Sequence, residues 1–198
     1  MKRLTNDFYD DRDPAWSPNA RAIAFSSDRS YFGKDGYMNI FLYNLQTGKI
    51  QYLTEGAHND YAPSWSPDGE SLAFTSDRDG PFNIWIIKNN GREFEALPIA
   101  DNFTDSSNNA HNGKNRLNGN GIFKKGQTKN FFPSALEKTD QLKKLTKFTT
   151  GAFDPVWLDE DNLVFTAFEN FSFQLQQIIN VEEKFEEAPS VKNDILST

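Results

Sequence analysis

Short apolar segments separated by turn residues form the pattern of this chain, and residues 62–97 show it most clearly. A segment around a tryptophan is followed by the turn Ser-Pro-Asp-Gly, in which Pro fixes φ and Gly accepts a positive φ. The run SLAFTS at 71–76 predicts a second strand, and NIWII at 83–87 predicts a third. An Asn-Gly pair at 90–91 favours a hairpin turn into a fourth strand, EFEAL. This order of elements predicts a four-stranded antiparallel sheet.

The same order of elements occurs more than once along the chain. The segments DPAWSPNARAIAFSSDR at 13–29, APSWSPDGESLAFTSDR at 62–78 and DPVWLDEDNLVFTAF at 154–168 align on Trp16, Trp65 and Trp157. A Leu-Thr pair precedes each tryptophan, and the leucine is 12 residues upstream in all three cases. Leucines at 4, 53, 97 and 145 therefore mark the ends of successive units, at intervals of 49, 44 and 48 residues.

Four-stranded units at an interval of about 40–50 residues are typical of a β-propeller, in which each unit is one blade. We therefore predict an all-β fold, a single β-propeller segment over residues 1–198 built from about four units of four-stranded antiparallel blades. The recurrent tryptophans and phenylalanines are expected to fill the space between blades. The predicted units span about 5–54, 55–97, 98–146 and 147–189, the last ending at the weaker mark Ala188-Pro189.

The third unit is degenerate. Asn109 occupies its tryptophan position, and residues 105–130 are rich in Asn and Gly with few apolar residues. We interpret 98–146 as an eroded blade that regains a hairpin only near its end. The alternative is that 98–140 is a large insertion between two regular blades.

The pattern Leu-Thr, Pro-x-Trp-Ser-Pro-Asp-Gly, Leu-Ala-Phe-x-Ser-Asp-Arg and Asn-Ile resembles the TolB-type, WD40-like (PD40) propeller repeat. The resemblance covers residues 1–97 well, 145–180 fairly and 98–144 hardly at all. It implies a propeller of six or more blades, either in an exported, periplasmic bacterial envelope protein or in a prolyl-oligopeptidase-type peptidase. Because four units are fewer than six, we expect a segment of a larger propeller. The alternative is self-closure, with residues 1–5 completing the last blade.

An open arc of blades would leave two apolar blade faces exposed, which predicts self-association through those faces.

Composition narrows the possible partners and locations. The formal net charge is −7 and the isoelectric point is near 4.9, which argues against nucleic acid as a partner. The chain has no cysteine, so neither a disulfide framework nor a thiolate zinc site is predicted. It also contains no apolar run long enough to span a membrane, and its first residues do not form a secretion signal. If the protein is exported, we expect the signal upstream of this sequence.

Polar residues cluster before two of the tryptophans, where a propeller loop enters the innermost strand at the channel mouth. We predict that these loops bind a protein or peptide partner through Asp10, Asp11, Asp13, His58, Asn59 and Asp60. The alternative is a solvated acidic turn closed by Asx hydrogen bonds. No EF-hand spacing is present, so no metal and no cofactor are predicted. The recurring Ser-Asp-Arg at 27–29 and 76–78 is expected to be structural, with Asp accepting turn amides and Arg pairing across the blade junction.

The sequence gives little support for catalysis, since it has no Gly-x-Ser-x-Gly elbow and no cysteine nucleophile. We therefore predict a non-enzymatic TolB-like scaffold for protein or peptide binding in the bacterial cell envelope. The alternative is the gating propeller of a prolyl-oligopeptidase-type serine peptidase whose catalytic domain is not in this chain. A third hypothesis is a sugar- or cell-wall-binding propeller with aromatic loop tips at Tyr31, Phe32 and Tyr61.

Overall fold

A computed structural model describes residues 1–88 and 141–189, in which the predicted strands form three antiparallel sheets. The first sheet has the order β1-β2-β3-β4, the second β5-β6-β7-β8, and the third β11-β10-β9. The strands are β1 (Asp11–Trp16), β2 (Ala22–Ser27), β3 (Asn39–Asn44), β4 (Ile50–Tyr52), β5 (Asp60–Trp65), β6 (Ser71–Ser76), β7 (Asn83–Lys88), β8 (Leu142–Lys144), β9 (Ala152–Trp157), β10 (Asn162–Glu169) and β11 (Ser172–Ile179). A 3₁₀ helix, Tyr31–Asp35, lies between β2 and β3, and a short helix α1, Val181–Glu187, follows β11.

The turns that follow the tryptophan strands β1 and β5 form as predicted, with a polar side chain accepting a backbone N–H and a residue at positive φ. In the turn after β5 the side chain of Asp68 accepts a hydrogen bond from the backbone N–H of Glu70, and Gly69 has φ of 76°. In the turn after β1, Asn19 accepts from the N–H of Arg21 in the same way, and Ala20 takes the positive φ, at 55°. The two turns therefore share one geometry although only one of them has glycine.

The sheets stack face to face, so the second sheet is covered on both of its faces. We call the face that carries the tryptophan the leading face and the opposite one the trailing face. The trailing face of the first sheet packs on the leading face of the second, in a core cluster of Ala24, Ile40, Leu42, Trp65, Leu72, Phe74, Trp85, Ile87 and Leu142. The trailing face of the second sheet packs on the leading face of the third and on α1, in a cluster of Ala73, Ile84, Ile86, Ala152, Leu163, Phe165, Ala167, Val181 and Phe185. The innermost strands β1, β5 and β9 lie side by side. This face-to-face stacking confirms the all-β propeller prediction.

The fourth strand of the second sheet differs from the prediction. Leu142 of β8 pairs with Ile87 of β7 and is buried in the core. The prediction that the second unit ends at Leu97 is therefore wrong, because the position of its last strand is taken by residues that we assigned to the end of a unit at 98–146. The rest of that assignment, up to residue 140, lies outside the described residues.

The two ends of the described chain also differ from expectation. The mark at Ala188-Pro189 does not close a fourth strand, because residues 181–187 form α1, whose Val181 and Phe185 are buried against the second sheet and the third. Residues 1–5 pair with no strand, so the self-closure alternative is not observed among the described residues.

Candidate functional site

The six predicted binding residues lie at one end of the sheets, which we call the upper end: the end at which β1, β5 and β9 begin. Asp11 and Asp60 are the first residues of β1 and β5, and Asp13 lies two residues further along β1. Because neighbouring strands are antiparallel, β3, β7 and β11 also begin at this end. The structure therefore collects the strand-entry loops of all three sheets on one surface.

Asp60 is fully buried and is held by a fixed set of partners. The guanidinium of Arg78 donates to Asp60 Oδ1 at 2.8 Å and to the hydroxyl of Ser76 at 2.9 Å. His58 Nε2 lies 3.3 Å from the other carboxylate oxygen of Asp60. Burial alone would raise the pKa of Asp60, but Arg78 together with His58 and Ser76 lowers it to about 2. Asp60 is an ionised structural carboxylate that no partner can reach.

The first sheet repeats this arrangement. Arg29 donates to Asp11 Oδ1 at 2.5 Å, to Ser27 Oγ at 3.0 Å and to Asp7 Oδ2 at 2.9 Å. Its guanidinium lies over the rings of Phe25 and Phe41, as that of Arg78 lies over Phe74 and Trp85. The expected structural role of the Ser-Asp-Arg segment is confirmed in part. Each arginine pairs with the first strand of its own sheet, however, so the predicted pairing across the blade junction is wrong.

The aspartates of the same segments close the loops that enter β1 and β5. Asp77 accepts from the backbone N–H of Asn59 at 2.6 Å and from its side-chain amide at 3.0 Å. Asp28 accepts from the backbone N–H of Asp10 at 2.9 Å. Asn59 is thus occupied within the loop. Of the six predicted residues, Asp10 and Asp13 are left with the most exposed carboxylates.

Asp13 belongs to a backbone bulge that recurs in the innermost strand of every sheet. Asp13, Ala62 and Asp154 each lie three residues before the tryptophan, with φ of 51°, 49° and 52°. The register of β1, β5 and β9 shifts at these positions. Asp13 Oδ2 accepts from Ser26 Oγ at 3.3 Å and from the N–H of Ala62 at 3.2 Å. The bulge therefore places exposed carboxylates at the upper end of the first and third sheets.

A row of aromatic rings crosses the upper end between these carboxylates, and sequence reasoning found only one member of it, Tyr61. Neighbouring ring centroids are separated by 6.2, 5.6, 6.2 and 5.0 Å along the row Tyr61, Phe82, Phe153, Phe173 and Phe168. Phe173 is 68% exposed, and the other rings are partly buried. We call this set the aromatic row.

Four of the five rings in the aromatic row occupy two positions of the repeat, and Phe168 lies on β10 opposite Phe173. Tyr61 and Phe153 stand one residue before the bulge, where the first sheet has Arg12. Phe82, just before β7, and Phe173, the second residue of β11, share a register position at which the first sheet has Met38. At these positions the first sheet has Arg12 and Met38 where the other two sheets have aromatic rings, whereas the tryptophan recurs in all three sheets. That variation is the signal that could have revealed the row, since scaffold residues repeat and site residues need not.

The loop tips Tyr31 and Phe32 also lie at the upper end but outside the row. Their rings make an edge-to-face pair with centroids 5.5 Å apart, and Lys34 Nζ lies 4.3 Å from the centroid of Tyr31. The ammonium of Lys34 therefore covers one face of the exposed ring of Tyr31.

In residues 1–88 and 141–189, no group of three or more His, Asp or Glu side chains is placed to hold a metal ion. None of the helices in this part of the chain is long and apolar enough to cross a bilayer.

Comparison with known proteins gives one family match. The profile of the TolB beta propeller domain (PD40) matches residues 14–188. No curated protein matches this chain.

Several solved structures share the architecture. A putative TolB from Agrobacterium tumefaciens superposes with a TM-score of 0.56 at 16% identity, over 89% of this chain and 47% of that one. TolB from Acinetobacter baumannii gives 0.53 at 20% identity, over 89% and 31%. A putative dipeptidyl aminopeptidase IV from Bacteroides ovatus gives 0.51 at 17% identity, over 92% and 23%. These likenesses show the fold, and this chain spans less than half the length of each structure.

Proposed function

Because this chain belongs to the TolB β-propeller domain family, we propose that it is a non-enzymatic platform whose upper end binds a protein segment or peptide. The observation that carries the proposal is the aromatic row, five rings in mutual contact on the surface where all strand-entry loops meet. Aromatic side chains bury much apolar area at a low cost in conformational entropy, and they are enriched where proteins bind one another.

The charges beside the row indicate the chemistry of the partner. The carboxylates of Asp13 and Asp154 occupy the same position of the bulge in the first and third sheets, and Asp10 is exposed nearby in sequence. The whole chain has a net charge of −7. A partner segment that carries apolar side chains for the rings and Lys or Arg for the carboxylates is complementary to this surface.

The same family membership supports an exported, envelope location, which we propose for this protein. Fractionation of cells that produce the natural protein, followed by immunodetection, should place it outside the cytoplasm. Recovery only in the cytoplasmic fraction would refute this part of the proposal.

The competing function is the gating propeller of a serine peptidase. The structural similarity to a putative dipeptidyl aminopeptidase motivates this alternative. At 17% identity that similarity concerns the fold alone, and the same holds for the similarity to TolB. A peptidase assay on this chain separates enzyme from platform: the platform gives no turnover, and turnover lost on changing one Ser or His would contradict it. The sequence of the complete gene distinguishes a gating propeller from a binding platform, because the gene for a peptidase would also encode a domain with a Ser-Asp-His triad.

The binding proposal is tested with short unstructured peptides displayed on phage and selected on the full-length chain. We expect enrichment of sequences that combine apolar and basic residues. For a selected peptide, Asp13→Asn and Asp154→Asn should each weaken binding about two- to fivefold, which is the range of an exposed ion pair. Asn tolerates the positive φ of both sites, so the bulge is retained.

Glu160→Gln is the matched control, because it removes one exposed charge from the turn between β9 and β10 at the opposite end. The proposal fails if no peptide is enriched. It also fails if Glu160→Gln weakens binding as much as the two aspartate variants do.

A further inference from the structure

The two internal junctions between sheets are closed by the same hydrogen bond. The indole N–H of Trp65 donates to the carbonyl of Ala15 at 3.2 Å, and the indole N–H of Trp157 donates to the carbonyl of Ser64 at 3.0 Å. In both cases the acceptor is the residue just before the tryptophan of the preceding sheet. Each leading face thus supplies an indole donor, and each trailing face supplies a defined carbonyl.

A second polar contact recurs at the upper end of each junction. The bulge N–H of Ala62 donates to Asp13 of the first sheet at 3.2 Å, and that of Asp154 donates to Thr75 Oγ1 of the second sheet at 3.0 Å. The trailing face therefore also supplies a side-chain oxygen that receives the bulge N–H of the next sheet.

The outermost trailing face, that of the third sheet, has the same features, and no other sheet formed by residues 1–88 and 141–189 packs on it. Val156 occupies the position of Ala15 and Ser64, so its carbonyl is the equivalent indole acceptor, and Thr166 occupies the position of Thr75. Leu175 lies where the second sheet has Ile84, which is completely buried, yet Leu175 is 79% exposed. Phe173 and Ile179 are also exposed on this face.

The leading face of the first sheet is the complementary surface. Trp16 is 62% exposed, whereas its counterpart Trp65 is 8% exposed. A cavity of about 180 Å³ lies on this face, lined in part by Leu4, Ile23 and Tyr43. In the second sheet the corresponding space is filled by side chains from the sheet before it.

The segments that already touch this leading face do not take the place of a neighbouring sheet. Arg29 covers Phe25 and Phe41, but Arg78 covers Phe74 and Trp85 in the same way at a junction that also has a partner sheet. Leu53 likewise packs at the edge of the internal junction, as expected for the equivalent Leu4. The face remains shaped to receive a sheet.

We infer that this chain associates with a second copy of itself, head to tail, the trailing face of the third sheet of one copy binding the leading face of the first sheet of the next. In this junction Trp16 donates its indole N–H to the carbonyl of Val156, and the bulge N–H of Asp13 donates to the hydroxyl of Thr166, the equivalent of Thr75. Arg12, an exposed cation whose guanidinium lies 3.4 Å from Asp10 of its own copy, precedes that N–H, and the exposed carboxylate of Asp154 at the upper end of the third sheet has the opposite charge. The contact continues the stacking seen twice within the chain, and because it is heterologous, it either closes a ring or extends a filament.

The test is sedimentation velocity of the full-length chain over a concentration series. We expect the wild type to sediment as an assembly larger than the 22.6 kDa monomer. Leu175→Glu on the trailing face and Trp16→Glu on the leading face should each weaken association by about tenfold or more, since either places an unpaired charge in an apolar junction. Gln174→Glu is the matched control, because it adds the same charge to the neighbouring, opposite-facing position of β11.

Mixing the two face variants gives the sharpest test. Each retains one intact face, so an equimolar mixture should form one-to-one dimers, which also shows that both variants are folded. Val156→Glu replaces Leu175→Glu if circular dichroism shows that the latter is unfolded. A wild type that stays monomeric, face variants that associate as strongly as Gln174→Glu, or a mixture that stays monomeric would each overturn the inference. The substituted residues lie outside the aromatic row and its carboxylates. Phe173 and Asp154 belong to both proposed surfaces, so peptide binding is measured on the Trp16→Glu variant, in which assembly is weakened and the aromatic row is unchanged.

Discussion

At the scale of single residues, Asp60 and Arg78 form a buried ion pair within one sheet. Acidic residues before a tryptophan were expected to face a partner, because sequence gives their position in the loop but not the direction of their side chains. In the structure, Asp60 points into its own sheet, where Arg78, Ser76 and His58 surround it. The recurrence of the arginine as Arg29 and Arg78 did predict a structural role, because a residue that recurs at the same position of two blades serves the scaffold.

This arrangement predicts a specific dependence of stability on pH. The pKa of Asp60 falls from an ordinary 3.8 to about 2 on folding, so its ionised form stabilises the protein above pH 4 and that stabilisation is lost as pH falls through about 2. At neutral pH, Asp60→Asn should lower the free energy of unfolding by about 3–5 kcal/mol, because Arg78 would lose its buried partner. The difference from wild type should shrink by about 2 kcal/mol between pH 4 and pH 2.

Urea unfolding followed by tryptophan fluorescence at a series of pH values measures this effect. Asp10→Asn, at an exposed position, serves as the control and should change stability little at any pH. An Asp60→Asn penalty that is the same at low and neutral pH would show that the carboxylate is not ionised in the folded protein.

At the scale of elements, the Leu-Thr pairs explain why the fourth strand of the second sheet is β8. Thr54 Oγ1 accepts from the N–H of Ile40 at 2.8 Å, and Thr146 Oγ1 accepts from the N–H of Ile84 at 2.8 Å. The pair therefore ties the end of the first sheet and the end of the second to the start of their third strands. The leucine at 97 is followed by proline, which has no hydroxyl. The threonine hydroxyl therefore distinguishes the segment that ends at Leu145 from the segment that ends at Leu97 as the fourth strand. The leucine spacing and the hairpin pattern do not distinguish them.

Replacement of the hydroxyl tests this role. Thr146→Val and Thr54→Val keep the shape of the side chain but leave a buried N–H without its acceptor, so each should destabilise the protein by about 1–3 kcal/mol. Thr149→Val, at an exposed position in the following loop, should change stability by less than about 0.5 kcal/mol. Thermal and urea unfolding of the three variants measure these differences. Equal stability of Thr146→Val and Thr149→Val would contradict the assignment of β8 and its following residues to the second sheet.

Helix α1 shows where local pattern fails at this scale. The segment KFEEAP resembles EFEALP, yet it forms a helix whose Val181 and Phe185 pack against the second and third sheets. Lys143 Nζ donates to the carbonyl of Phe185 at 2.8 Å and lies over its ring. These contacts join residues that are distant in sequence. The local resemblance of KFEEAP to EFEALP therefore could not reveal them.

At the scale of the whole molecule, the stacking of sheets was the most predictable feature. The equal Leu-to-Trp spacing and the apolar runs implied small sheets packed through their tryptophans, and Trp65 and Trp157 do occupy equivalent junctions. The aromatic row was not predicted, because it arises only when rings at two different repeat positions of neighbouring sheets converge. A sequence pattern that identifies the scaffold does not reveal such positions, because the first sheet has no aromatic ring at either of them.

The upper end combines scaffold residues with residues proposed to bind. The recurring bulge and strand starts fix the backbone positions, and side chains that differ between sheets supply the aromatic rings and carboxylates. Asp13 and Asp154 flank rings that the repeat brings together, while the turns at the opposite end carry Asp68 and Asp159 in hydrogen bonds to their own loops. We therefore propose that binding occurs at this one end of the molecule.

The most direct test is a map of backbone amide chemical shifts during titration of the full-length, isotope-labelled chain with a phage-selected peptide. We predict that the largest changes fall on Tyr61, Phe82, Phe153 and Phe173 and on the adjoining bulge residues, with the turns at 17–21, 66–70 and 158–161 unchanged. Largest changes in those turns, or changes spread evenly over both ends, would contradict the assignment of binding to the upper end.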